Sequence, residues 1–141
     1  MTETLASLWQ ALTSGLPLLL WHLALTLGLL LAGISLYTKL TPFREYELIR
    51  QGTLAAGLTL GAAWIALAIP LAVTLATSQF WLDILLWGMV AVAIQLLTFG
   101  VCVLVARDLP AAIAADNRAA ALHLAGVQLA VALLNAGAMA G

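Results

Sequence analysis

All five Lys and Arg residues of this chain fall in two short stretches, and the two stretches are alike. Lys39, Arg44 and Arg50 lie in KLTPFREYELIRQGTLAAG, residues 39–57; Arg107 and Arg118 lie in RDLPAAIAADNRAAA, residues 107–121. Each stretch opens on a basic residue at the end of an apolar run. Each then passes Leu-(Thr)-Pro, crosses a short polar segment and returns to apolar sequence through Ala and Gly. What lies between and around them is almost free of charge. Of 141 residues, 65% are hydrophobic and 8% charged, against roughly 25% charged in an average soluble domain, so the chain is an integral membrane protein.

The spacing of the polar punctuation predicts four spans, at residues 16–38, 52–76, 83–106 and 118–139. At about 1.5 Å per residue the first alone covers roughly 34 Å, enough to cross a hydrocarbon core of about 30 Å. Pro17 stands in its first turn, where a missing N–H has no helical partner to lose. Pro70 interrupts the second span, where a neighbouring helix can satisfy the carbonyl it frees. Residues 1–15 form an N-terminal segment with Leu5, Leu8, Trp9 and Leu12 at helical spacing. It reads either as a short helix on the membrane surface, apolar side down, or as the start of the first span. In residues 41–51, Thr41 is an N-cap candidate with Pro42 just inside. Phe43, Tyr46 and Ile49 fall on one face there, opposite Arg44, Glu47 and Arg50, as in a short interfacial helix. Residues 77–82 make a tight turn, and Asp116 or Asn117 caps the fourth span. The fold class is therefore all-α and integral to the membrane: four transmembrane helices with short interfacial helices.

The basic loops place themselves in the cytoplasm by the positive-inside rule, which leaves both termini outside, in the periplasm. Residues 16–76 and 83–139 are then two out–in–out hairpins, parallel repeats about an axis along the membrane normal. Aligning Gly52-Thr53-Leu54-Ala55-Ala56 with Asp116-Asn117-Arg118-Ala119-Ala120 sets Leu58 over Leu122 and Leu60 over Leu124.

Several function classes drop out. A net charge of −1 provides no field for nucleic acid. The lone Cys102 excludes an internal disulfide and a multi-cysteine metal site. MTETLASLWQ has no basic region of the kind that opens a signal peptide. No nucleophile–base pair, P-loop or nucleotide fingerprint is present, and His22 and His123 sit at opposite depths, too far apart to share a metal. No enzyme activity, cofactor or metal is expected.

Polar groups within the spans remain as the candidates: His22, Gln95, Thr98, His123, Gln128 and Asn135. Gln95, Thr98 and Cys102 form a stripe on span three; Gln128 and Asn135 share a face of span four. They read as a polar pathway, with a histidine able to change charge near neutral pH. They also read as interhelical hydrogen bonds contributing about 0.6–2 kcal/mol each. The second reading leads, because no acidic or basic group is expected at mid-membrane depth. Asp83 is a helix cap or, in an oligomer, part of an outer cation-attracting ring. Glu45, Glu47, Asp108 and Asp116 read as loop charges balancing nearby arginines. Small residues at four-residue spacing, Gly57/Gly61, Ala121/Ala125 and Gly126/Ala130, mark close helix packing on more than one face of spans two and four. That puts these two spans at the centre and points to a homo-oligomer.

At the paired Pro-plus-polar segments, the Asn-x-Ala-Ala-Ala of residues 117–121, mid-span Gln95 and the closing Leu134-Asn135-Ala136, the chain resembles the YjfL-like bacterial inner-membrane proteins, domain of unknown function 350. The likeness covers roughly residues 16–140, with Thr53 standing where the family pattern favours Asn after Gly. It implies a four-helix inner-membrane fold, no established activity, and a setting near envelope-stress and polyamine genes. The expected function is a non-enzymatic, oligomeric inner-membrane scaffold that docks an envelope or cytoplasmic protein through Arg44, Arg50, Arg107 and Arg118. The alternative is a channel or small-solute transporter lined by the mid-span Gln, His and Asn residues.

Overall fold

The computed structural model describes residues 2–141 and is all-helical over them. Four helices are long and apolar enough to cross a membrane: α1 (Thr2–Leu40), α3 (Leu54–Thr77), α4 (Trp81–Val105) and α6 (Arg118–Ala140). Two six-residue helices, α2 (Glu45–Arg50) and α5 (Leu109–Ala114), lie in the polar loops.

The first span and the N-terminal segment are one rod. From Thr2 the helix runs unbroken through Pro17, the second of the two readings of residues 2–14. Residues 3–21 are all exposed, so the first half of α1 stands largely clear of the other spans. The rod ends where Pro42 disfavours helical geometry at Thr41. There the Thr41 N–H donates to the Tyr37 carbonyl at 3.0 Å and its hydroxyl to the Thr38 carbonyl at 2.9 Å, satisfying two terminal carbonyls. Thr41 therefore closes α1; it does not open α2, whose N-cap position is Arg44, and Pro42 lies in the bend between the two.

Both loops finish on the same backbone motif in the same register. After α2, Gly52 adopts a left-handed conformation (φ +86°); its N–H donates to the Ile49 carbonyl and that of Thr53 to the Leu48 carbonyl. After α5, Asp116 adopts it (φ +61°), with its N–H on Ile113 and that of Asn117 on Ala112. This pairing of bonds is the Schellman stop, which needs a left-handed residue just past the helix. Glycine takes that conformation freely, and Asp tolerates it better than most side chains.

Asp116 uses that position. Its Oδ1 accepts the Ala55 N–H at 2.8 Å, so a carboxylate caps the start of α3 from the loop before α6. Thr53, at the N-cap position of α3, makes no side-chain cap bond, whereas Asn117 caps α6 by accepting from the Ala120 N–H at 3.1 Å. Asp116 is thus more than a loop charge beside Arg118, which it meets at 3.7 Å on the surface. The contact also sets the starts of α3 and α6 side by side, so these helices run parallel and both polar loops occupy one end of the bundle.

The most extensive packing is between α3 and α6. It is made by small residues: Ala55, Ala56, Ala63 and Ala66 on α3 and Ala121, Ala125, Ala132 and Ala136 on α6 are buried. Where lipid removes the hydrophobic drive between helices, such close backbone approach is what holds them together. Ala121 and Ala125 thus sit in the α3–α6 region. Gly57, Gly61 and Gly126 meet nothing where a Cβ would stand, and Gly61, Gly126 and Ala130 are exposed, so no close helix approach is seen at these positions within one chain. The tight approaches are elsewhere: a Cβ on Gly88 would come within 2.5 Å of Leu29 Cδ1, and one on Gly33 within 3.2 Å of Leu67. Tyr37 packs edge-on against Phe99, ring centroids 4.8 Å apart, and with Ile34, Leu67, Val92 and Leu124 forms the apolar core.

Candidate polar core and buried carboxylate

The polar core begins with a proline. Pro70 has no N–H to give the Ala66 carbonyl one turn earlier in α3, and that carbonyl is deep in the bundle. Gln95 of α4 supplies the missing donor: its Nε2 reaches the Ala66 oxygen at 3.0 Å. The amide is 5% exposed, and its other end, Oε1, has no partner.

Two further buried side chains carry unpartnered polar atoms near it in the bundle. Gln128 of α6, 2% exposed, has an unpartnered Oε1, and Tyr37 of α1, also 2% exposed, an unpartnered hydroxyl. All three side chains line one small cavity of about 10 Å³, together with Ala63, Ala66, Leu67 and Leu96. Buried polar atoms without partners are rare in native proteins, since each costs on the order of 1–3 kcal/mol. Here three such groups belong to side chains around one small, mostly apolar-walled cavity.

The column continues toward the loops. Tyr37, Thr41 and Glu45 follow one another at four-residue steps, and Glu45 is 1% exposed. The Thr41 hydroxyl, whose one proton is shared with the Thr38 carbonyl, lies 3.1 Å from Glu45 Oε2; Oε1 is unpartnered. The Tyr37 hydroxyl lies beside both Glu45 and Gln128 without a well-formed bond to either. Burial lifts the Glu45 carboxyl from 4.5 to about 7, against the opposing pull of the Thr41 and Tyr37 hydroxyls. Glu45 is therefore not a loop charge balanced by arginine. The ion pairs among the described residues are Arg50–Glu47 and Arg118–Asp116, both on the surface. Arg44, Arg50, Arg107 and Arg118 are all exposed at this end.

At the opposite end the bundle opens into a pocket of about 440 Å³ among α3, α4 and α6, with Asp83 and Trp87 on its wall together with Thr74 and Asn135. Asn135 is buried with an unpartnered Nδ2. Asp83 makes no side-chain cap bond in the first turn of α4. Gln128 and Asn135 share a face of α6 two turns apart, and fully buried Ala132 lies between them. The column thus has polar ends and a dry middle.

The remaining candidates disperse. His22 is buried but lines a separate cavity with Leu18, Leu19 and Leu75. Thr98 is half-buried and spends its hydroxyl on the Ile94 carbonyl of its own helix at 2.8 Å. His123 is exposed beside Cys102 and Leu124 on the outer face of the bundle. Of the six intramembrane candidates, Gln95 and Gln128 come together, with Asn135 beyond them. Tyr37 and Glu45 were missing from the set, although their four-residue spacing through Thr41 was present in the sequence.

The family model described as Domain of Unknown Function (DUF350) matches residues 11–139. The UPF0719 inner membrane protein YjfL of Escherichia coli strain K12 is 31% identical over 106 residues, which is 75% of this chain and 80% of that protein. Its counterpart in Escherichia coli O157:H7 matches to the same extent. No solved structure matches.

Proposed function

The chain belongs to the DUF350 family, and from that premise we propose that it is a non-enzymatic inner-membrane protein providing a pathway for protons or small cations. The observation that carries this reading is Glu45: a fully buried carboxylate with no cationic partner, at the base of a column of unpartnered polar groups. Ionisable groups buried in a membrane protein without structural pairing mark ion pathways. A carboxyl that titrates near neutral pH exchanges its proton at the pH of the cytoplasm. No acidic or basic group was expected at mid-membrane depth; Glu45 lies at the loop end, in α2, and its burial there without a cation at the foot of the polar column is what favours the pathway.

In this reading the basic loops face the cytoplasm and both termini the periplasm, the two hairpins are parallel repeats, and the pocket beside Asp83 is the outer mouth. Gly57, Gly61, Gly126 and Ala130, without a close helix approach within the chain, are where copies meet in a homo-oligomer. The test is flux. Purified protein in liposomes should carry protons, sodium or potassium down an imposed potential, and Glu45→Gln should lower the rate by at least roughly tenfold. Absence of every flux, or an unchanged rate in Glu45→Gln, overturns the proposal.

The four arginines exposed at the loop end favour a second reading, a docking surface for an envelope or cytoplasmic protein in an envelope-stress or polyamine-linked setting. Co-purification of such a protein, lost when Arg44 and Arg50 are reversed in charge, supports it. Unchanged co-purification removes it.

A further inference from the structure

We propose that Tyr37, Gln95 and Gln128 bind a single buried water molecule, and that this water makes the pathway selective for protons over hydrated ions. The selectivity rests on the transport reading above; the water site does not.

The cavity these three side chains line is about 10 Å³, the space of one water and no more. Their free atoms match what one water offers. Its two O–H groups satisfy Gln95 Oε1 and Gln128 Oε1, and its oxygen accepts from the Tyr37 hydroxyl, so three buried unpartnered groups are satisfied at once. A bare monovalent cation would have to shed its whole water shell to enter so small a space, and three neutral oxygens are too few to replace that shell, whereas a proton needs only the water already there. A hydrated ion is too large.

The water continues the column from Glu45. In a single hop the Tyr37 oxygen takes the Glu45 carboxyl proton as its own hydroxyl proton passes to the water. Glu45 is left as carboxylate, the tyrosine neutral and the water carrying the proton. No other bond is made or broken. The carboxyl pushed to about 7 is suited to give and regain a proton at neutral pH. Beyond the water, fully buried Ala132 separates Gln128 from Asn135 along α6, so the path there is apolar.

Two measurements test the proposal. Hydroxyl-radical footprinting by a brief X-ray pulse, after mixing into heavy-oxygen water, labels side chains that touch bound water. Phe99 is the internal control: it packs on Tyr37 and is equally buried, but is not on the cavity wall. Tyr37 should be labelled several-fold more than Phe99, and the excess should vanish in Gln128→Leu. If that variant does not fold, the excess in the wild-type protein decides alone. Equal labelling of Tyr37 and Phe99 overturns the water site whether or not the protein transports anything. In liposomes, proton flux without sodium or potassium flux, lowered in Tyr37→Phe, supports the selectivity. Sodium or potassium flux matching that of protons overturns the selectivity and leaves the pathway standing. Absence of every flux overturns the pathway, and the selectivity with it, while the footprint still reports on the water.

Discussion

Glu45 binds its proton more tightly in the folded chain than in the unfolded one, since burial lifts its carboxyl from 4.5 to about 7. For such a group the stability it contributes is complete below the unfolded value and is lost as pH rises through the folded one. At about 1.4 kcal/mol per unit the loss is roughly 3 kcal/mol. The melting temperature in detergent is therefore expected to fall between about pH 5 and pH 7 in the wild-type protein and to stay flat in Glu45→Gln. A flat wild-type profile would mean the carboxylate is charged throughout. The groups around it are the Tyr37 and Thr41 hydroxyls; Arg44, adjacent in the chain, is exposed. Gln95 allows a sharper test. Gln95→Leu leaves the Ala66 carbonyl bare and is expected to cost about 1–3 kcal/mol. In a Pro70→Ala background the N–H restored to residue 70 can take that carbonyl, so the cost of Gln95→Leu should shrink. Strict additivity of the two substitutions would dissolve the pairing.

At the level of elements, one carboxylate joins two helices. Asp116→Ala removes the cap on α3 while keeping a side chain in a left-handed position, with an expected loss of about 1–2 kcal/mol. Asp116→Gly relieves the backbone and loses the cap, so it should fall in between. Asp116→Asn keeps both and should melt near wild type. A ranking with glycine above wild type would show that the cap contributes less than the conformation costs. The four helices themselves were legible, because a long apolar run between polar stops is a one-dimensional property and backbone satisfaction in lipid leaves only a helix. Asn117 was legible too, since it caps a helix three residues away. The cap from Asp116 was not: its partner, Ala55, is remote in sequence. Small residues were legible only in part. Four-residue spacing says that a face can be approached closely, not that a neighbour takes it. Thus Ala121 and Ala125 are buried, Gly57, Gly61 and Gly126 meet nothing, and the crowded glycines, Gly33 and Gly88, had no small partner to betray them. Glu45 was read as a loop charge because arginines stand near it in sequence, whereas its register is set by Tyr37 and Thr41.

For the whole molecule, the bond between Ala55 and Asp116 ties both polar loops to one end. Single cysteines at positions 44 and 118, in a Cys102→Ser background, should react with an impermeant thiol reagent from the same side of the membrane. Labelling from opposite sides would break the parallel arrangement of α3 and α6. One consequence of the long first helix concerns how the molecule sits in lipid. Thirty-nine residues make a rod of roughly 58 Å, while the slab it pierces has an oily thickness of about 30 Å. Leu5, Leu8, Trp9, Leu12 and Leu16 carry grease almost to its tip. Standing upright would wet them all, and tilting is restrained because the lower half is packed into the bundle. The carbonyl left without a helical donor by Pro17 makes that turn the weakest of the rod. In a bilayer the tip is expected to fold over there and float along the headgroups, with Trp9 fluorescence quenched by bromines placed shallow in the acyl chains. Pro17→Ala should stiffen the joint and lift the indole out of their reach.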